Sequence, residues 1–347
     1  MSILQDEVPP QDFATIQAIV ESELDFEKTF ATFEPTPIGS ASIGQVHRAT
    51  LRDGTHVVVK VCYPKVEELL TGDVRTIKMF AQVAQPVHVP ALEEIEKQFQ
   101  TEFDYRKEAE QLQFVRDNLI KAGLAGPDKL CIVPKPYMKY CTKRVLVMEE
   151  LYGEKLVTGL KKDIQAYAAR AGQSMQEFLD VQKEKELEYA QRGERMQGAT
   201  ESEYNVFIRL EDSKRMIQNG WNRLYNLTTA LTTGAPARSY KDKSDLPINH
   251  AKLVDDLLYI HGHEVLVDGR FNGDCHPGNI LMCRKSDGSP LLGLIDYGQT
   301  KTLSKEKRHL FCNIIIALDN NNREEVVRLM KEAGFKVRRK SAAVMIC

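Results

Sequence analysis

The sequence predicts an α+β protein of two lobes, the first small and β-rich, the second larger and mostly helical. Three observations carry this reading. Residues 36–61 are rich in Gly, Ser and Val. A long helical pattern follows, embedded among strand patterns. Helical periodicity then dominates up to a short alternation of turns and strands near the end. A cleft between two such lobes is the place to look for a ligand.

The elements follow in order. Residues 12–33 read as a helix, with Phe13, Ile16, Ile19, Val20 and Leu24 three or four apart. Arg52-Asp53-Gly54-Thr55 reads as a hairpin turn, and Val57-Val58-Val59-Lys60-Val61 as a strand. Residues 73–84 return to helix. After Pro90 one long helix is predicted to about Asn118, with a stripe of Leu92, Ile95, Phe99, Phe103, Leu112 and Val115. Residues 132–137 and 144–148 read as strands, and 160–255 as mostly helical and polar. The charges over 183–197 fit a solvated helix or flexible insert, and 239–246 is a polar break. Residues 279–284 and 291–295 read as strands about a turn at 285–289, and helices follow over 304–319 and 323–331. The domain reading is a truncated helical extension over 1–35, an N-lobe over 36–150 and a C-lobe over 151–347 with an insertion at about 160–245.

Apolar residues make up 42% and charged residues 28% of the 347, which excludes collagen-like, mucin-like and wholly disordered chains. A net charge of −2 gives no general argument for nucleic-acid binding, and none is expected. No apolar run of about 18 residues predicts a transmembrane helix, and the N-terminus has no targeting character. Seven cysteines without a Cys-x-x-Cys pair read as free thiols in a reducing compartment rather than a zinc site.

Four segments carry chemistry. Gly39-Ser40-Ala41-Ser42-Ile43-Gly44-Gln45-Val46 is a small-residue loop leading into a strand, where backbone N–H groups can approach phosphate. Gly39, Gly44 and Val46 match the kinase pattern G-x-G-x-x-G-x-V, with Ala41 for the middle glycine. A ligand-free hairpin fits this segment equally well. Lys60 follows three valines, like the lysine of V-A-I-K; its bland reading is an edge-strand lysine with a solvated tip. Asp274-Cys275-His276-Pro277-Gly278-Asn279 has the Asp, Pro and Asn spacing of a kinase catalytic loop, where Asp orients a hydroxyl and Asn holds Mg²⁺. A Pro-Gly turn capped by Asp274 is the alternative. Asp296-Tyr297-Gly298 ends a strand like D-F-G, with an ordinary Asp-x-Gly turn as the alternative. The order and setting of all four argue for nucleotide chemistry. A helical Glu is then needed beside Lys60, and position in the chain favours Glu102 over Glu108, which falls on another face.

The strings Pro37-Ile38-Gly39-Ser40-Ala41-Ser42-Ile43-Gly44-Gln45-Val46-His47, Glu102-Phe103-Asp104-Tyr105, Glu108-Ala109 and His276-Pro277-Gly278-Asn279 resemble the UbiB (AarF/ADCK) family of atypical kinase-like proteins. The resemblance covers residues 4–155 and 250–335. It implies a two-lobed protein-kinase-like fold that uses ATP and Mg²⁺. Lys60 and Asp274 would be catalytic. Gly39, Ser40, Ala41, Ser42, Gly44, Val46, Lys60, Glu102, Met148 and Glu149 would attend the nucleotide. Asn279 and Asp296 would hold the metal. The implied partners are a nucleotide, an isoprenoid lipid or membrane surface, and lipid-biosynthesis proteins. The implied role supports coenzyme Q or related lipid metabolism in mitochondria, plastids or bacteria.

Three departures qualify the resemblance. The family's Lys-x-Gly-Gln motif should lie just before this sequence begins, and Arg170-Ala171-Gly172-Gln173 imitates it only by coincidence. The alanine-rich loop of the family here reads Gly39-Ser40-Ala41-Ser42, which could alter nucleotide preference. The stretch between Met148 and Asp274 is longer than the family pattern, and the end at Cys347 suggests a missing C-terminal part. An ATP- and Mg²⁺-dependent kinase or ATPase is the leading expectation. A nucleotide-binding regulator without significant turnover is the alternative, and a partner protein acting through its insertion is a third.

Overall fold

Alternation along one strand organises the N-lobe. The structure, a computed structural model, describes residues 9–40, 43–170, 172–194, 201–241 and 248–335. Strand β1 (Phe30–Phe33), β2 (Gly39–Ser40), β3 (Gly44–Leu51), β4 (His56–Cys62) and a later strand over Val145–Glu149 form one antiparallel sheet. Val57, Val59 and Val61 of β4 are fully buried and pack with Ile16 and Val20 of helix α1 (Phe13–Glu23). Val58 and Cys62 point the other way, into the core shared with the second lobe. Side chains on a strand alternate faces, so Lys60 emerges on the side of Val58, toward the cleft.

The helix expected over 12–33 is shorter. Asp12 caps α1, accepting from Thr15 N–H at 2.8 Å, and Leu24 is already extended. Asp25 then captures Lys28 N–H (3.2 Å) and starts the single turn α2 (Phe26–Thr29). Phe30 and Phe33 leave it as β1, because the aromatic residues gain more by closing the sheet edge than by prolonging a helix.

The long helix expected after Pro90 is two helices. Helix α3 (Val66–Ala84) precedes α4 (Val89–Glu102), and α5 (Tyr105–Lys121) starts anew. Asp104 interrupts them with extended backbone, its side chain accepting from Arg106 N–H at 3.2 Å. Phe103 and Tyr105 on either side are buried. This break gives Glu102 and Glu108 to different helices and different directions.

Strand β5 (Cys131–Ile132) is all that forms of the strand expected over 132–137. Pro134 and Pro136 cannot donate to a ladder, and Pro136 keeps only a lone bridge to Met148 of strand β6 (Val145–Glu149). The C-lobe holds β7 (Glu154–Lys155), β8 (Arg270–Asn272), β9 (Ile280–Arg284), β10 (Pro290–Leu294) and β11 (Thr300–Thr302). One sheet runs β5-β10-β9-β7 and a ribbon pairs β11 with β8. Around them lie α6 (Leu156–Arg170), α7 (Met175–Gln191), α8 (Glu201–Tyr225), α9 (Leu231–Thr233), α10 (His250–His263), α11 (Lys305–Asp319) and α12 (Arg323–Glu332). Helix α7 opens with a Ser174/Glu177 capping box and buries none of its side chains, as expected of a solvated helix. Among the described residues no helix is long and apolar enough to cross a membrane, and the six described cysteines are free thiols.

Candidate nucleotide site

Lys60 is the point at which the two lobes meet. Its Nζ donates to both carboxylate oxygens of Glu108, at 2.8 and 3.0 Å, and to Asp296 Oδ2 at 3.1 Å. The pair register Val46↔Lys60↔Leu146 fixes it mid-sheet, and the Tyr105 ring lies beneath it at 5.1 Å. Burial grades outward: the Glu108 side chain is 4% exposed, Lys60 16% and Asp296 32%.

Burial opposes the Lys60 charge, but Asp296 and Glu108 outweigh it and raise the ammonium's pKa well above the ordinary range. Burial pushes the Glu108 carboxyl up to about 7, against the pull of Lys60. Burial acts on Asp296 too, yet Lys60 and the Gly298 N–H hold its carboxyl below the usual carboxylate range. The expectation that Glu102 partners Lys60 is therefore corrected. Glu102 is the last residue of α4, while Glu108 stands one turn into α5, the helix packed on the sheet. Glu102 acts at second hand, its charge adding to the upward push on Glu108.

Above Lys60 a cleft of about 410 Å³ opens between the lobes. Gly39, Ser40, Gly44 and Val46 line its roof, Met148 and Glu149 its back, and Asn279 and Asp296 its floor. Ala41 and Ser42, expected to complete the roof, lie outside the described residues. Gly44 is required by close approach: a Cβ there would come within 2.4 Å of the Val61 carbonyl and 2.8 Å of the Tyr105 hydroxyl. Val46, Val58, Met148, Leu281 and Ile295 give the cleft an apolar slot suited to a planar base. The Glu149 carboxylate is committed to Lys135 N–H (3.1 Å). Arg48, ion-paired to Glu150 at 2.6 Å, and Lys155 bring further charge to the lining.

The floor is built from the turn before β9. His276, not Asp274, caps it: Nδ1 accepts from Gly278 N–H at 3.1 Å. The Gly278 N–H is thus taken by His276 and not by Asp274. Asp274 sits half-buried, held at its N–H by Asn272 Oδ1 (2.8 Å) and approached by Asn279 Nδ2 at 3.5 Å. Ile295 N–H donates to the Asn279 carbonyl at 3.2 Å, which sets Asn279 beside Asp296. Asp296 Oδ1 accepts from Gly298 N–H at 2.9 Å. Next to it, the buried Tyr297 hydroxyl donates to Glu264 Oε1 at 2.7 Å. Among the described residues no group of three or more His, Cys, Asp or Glu side chains could hold a metal ion. One amide oxygen and one carboxylate in a phosphate-sized cleft nevertheless suit Mg²⁺, which takes few protein oxygens and completes its shell with phosphate and water.

The profile of the ABC1 atypical kinase-like domain matches residues 3–180 and 222–330. The chain belongs to this family. A Clostridium pasteurianum protein described as an uncharacterized protein in the hydrogenase 1 5′ region is 35% identical over 97% of this chain and 48% of its own length. A probable protein kinase UbiB from Shewanella loihica is 35% identical over 44% of this chain and 29% of its own. AarF domain-containing protein kinase 1 of Xenopus laevis is 29% identical over 44% and 30%. The chain thus spans about half the length of the first relative and less than a third of the others. Rv3197 of Mycobacterium tuberculosis, solved as a complex with erythromycin, shares the fold with a TM-score of 0.52 at 20% identity, over 97% of this chain and 66% of that one.

Against this ABC1 kinase-like frame, the match skips 181–221, inside the stretch expected to hold an insertion. Sequence reasoning set Glu108 aside in favour of Glu102 and missed Arg48, Lys155 and Glu264. Glu108 was visible as the carboxylate one turn after an N-cap, since Asp104 before Tyr105 is a start signal. Arg48 and Lys155 had no signal beyond their place on strands. Glu264 looked like one more helical carboxylate, and only the tertiary fold buries it beneath Tyr297.

Proposed function

We propose that this atypical kinase-like chain is an ATP- and Mg²⁺-dependent phosphoryl-transfer enzyme, a kinase or ATPase, with a role in coenzyme Q or other isoprenoid-lipid metabolism. The observation that carries the nucleotide reading is Lys60, held by Glu108 from α5 and reaching Asp296 of the other lobe at the back of the cleft. Lys60 presents its ammonium where phosphate oxygens would enter, and Glu108 keeps it aimed. Gly39, Ser40 and Gly44 let backbone approach the same phosphates. Asn279 and Asp296 are the residues that would hold Mg²⁺, which neutralises charge developing on the transferred group. Asp274 leaves the Gly278 N–H to His276 and can accept a proton from, or orient, an attacking hydroxyl or water.

The lipid role, its setting at a mitochondrial, plastid or bacterial membrane, and any lipid-biosynthesis partner rest on the UbiB resemblance. The test is Mg²⁺-dependent ATP hydrolysis by the purified protein, with and without isoprenoid lipid, beside Asp274→Asn. Because His276 does the capping, the variant should stay folded and bind nucleotide, with turnover reduced about a hundredfold. Equal turnover in both proteins would remove Asp274 from the chemistry. Binding without hydrolysis in the wild type would favour the regulator reading.

A further inference from the structure

Helix α8 and the π-helical turn Asn226–Ala230 that continues it carry a row of amide side chains that grips a stretch of main chain. After α9, Gly234 takes a left-handed conformation (φ 69°) and the chain turns back along α8. Asn226 takes Arg238 by both backbone groups, Nδ2 donating to its carbonyl at 2.9 Å and Oδ1 accepting its N–H at 2.8 Å. Asn219 does the same for Lys241, at 2.8 and 2.9 Å. Between them, the buried Asn222 donates to the Ser239 carbonyl at 2.8 Å, and Arg215 adds a contact to the Lys241 carbonyl at 3.2 Å.

The spacing is a match of two periods. Asn219 and Asn226 are seven residues apart on a helix, a rise of about 10.5 Å. Arg238 and Lys241 are three residues apart, about 10 Å when extended. A helix with asparagines at i, i+3 and i+7 is therefore a ruler for extended backbone running antiparallel to it. The bonds go to main chain, so they set conformation rather than sequence. Two side chains supply identity: the Arg238 guanidinium stacks on the Tyr225 ring at 4.0 Å, and the Tyr240 hydroxyl is met by Asn226 Nδ2 at 3.5 Å.

We propose that Tyr225 and the row Asn219, Asn222 and Asn226 form a docking site for an extended, arginine-bearing peptide segment, which the chain fills at rest with its own residues 238–241. A partner presenting such a segment would displace this strap. None of the strap or row residues lines the nucleotide cleft, so the site is separate from it. The strap itself lies exposed on the helix, held by amide bonds of modest net worth, which suits it to exchange.

The test uses the full chain with Arg238→Gly, Ser239→Gly, Tyr240→Gly and Lys241→Gly, and a fluorescent peptide of the sequence 235–241, Ala-Pro-Ala-Arg-Ser-Tyr-Lys. Anisotropy should report saturable binding at least tenfold tighter than to the wild type, whose own strap competes. Asn219→Ala with Asn226→Ala on the same background should weaken it at least tenfold, as should Ala for Arg in the peptide. In the wild type, excess peptide should speed amide exchange at Arg238 and Lys241, which keeps the test open if the glycine variant folds poorly. A folded strap variant that binds no tighter than wild type, or exchange at Arg238 and Lys241 indifferent to the peptide, would reduce the row to a structural closure.

Discussion

Lys60 holds two carboxylates at once, and the two do not share its charge alike. Glu108 is the deeper, and its pKa near 7 lies above the ordinary 4.5. Lys60, Asp296 and Glu102 are the charged groups that act on it there. Between pH 4.5 and 7 the folded protein binds more protons at this site than the unfolded chain. Its contribution to stability is then present at the acid end and lost as pH rises through the window. Denaturant midpoints measured across pH 4.5–7 should show this fall, and Glu108→Gln should flatten it. The same variant should lower turnover at least tenfold, because Lys60 loses the group that aims it. An unaltered pH slope would mean that Glu108 is not the titrating group. Tyr297→Phe is the second residue-scale prediction. It leaves the buried Glu264 carboxylate without its hydroxyl donor, so stability should drop by about 1–3 kcal/mol, read from the chemical denaturation midpoint. A change below a few tenths would mean that Glu264 finds another partner.

Elements were legible where one signal ruled and illegible where two competed. The run Val57-Val58-Val59-Lys60-Val61 could hardly be anything but a buried strand, and its alternation put Lys60 on the cleft side. The stripe Phe99, Phe103, Leu112 reads as one helix, yet Asp104 within it is a cap, and the cap won. That single break moved the lysine's partner from Glu102 to Glu108. Pro134 and Pro136 were present in the sequence and limited the next strand to Cys131–Ile132. Glycines could be seen but not their neighbours: Gly44 matched a loop pattern, and only the fold revealed the Val61 carbonyl against it. Gly44→Ala should force β3 off β4 at a cost of about 1–3 kcal/mol and weaken nucleotide binding at least tenfold. A variant with wild-type stability and affinity would show that the roof tolerates a methyl group.

At the scale of the whole molecule, the fold brings segments 236 residues apart to one ammonium, since Lys60 joins the first lobe's sheet to Asp296 of the second at 3.1 Å. The order of loop, lysine strand, helix, Asp-Asn turn and Asp-Tyr-Gly was readable from the chain, and so was the family. The strap on α8 was not, because its bonds are between asparagine amides and main chain and leave no apolar period behind. The proposed function makes the cleft a Mg²⁺–nucleotide site closed by the Lys60–Asp296 contact. The most direct measurement is the unfolding free energy of the wild type and Asp296→Asn, each with Mg²⁺ alone, ATP alone and both. The wild type should gain about 3 kcal/mol with Mg²⁺–ATP at a hundredfold excess over Kd, and Asp296→Asn should lose the part of that gain that depends on Mg²⁺. No shift in a folded wild type at saturating nucleotide, or an equal Mg²⁺-dependent gain in both proteins, would contradict the account.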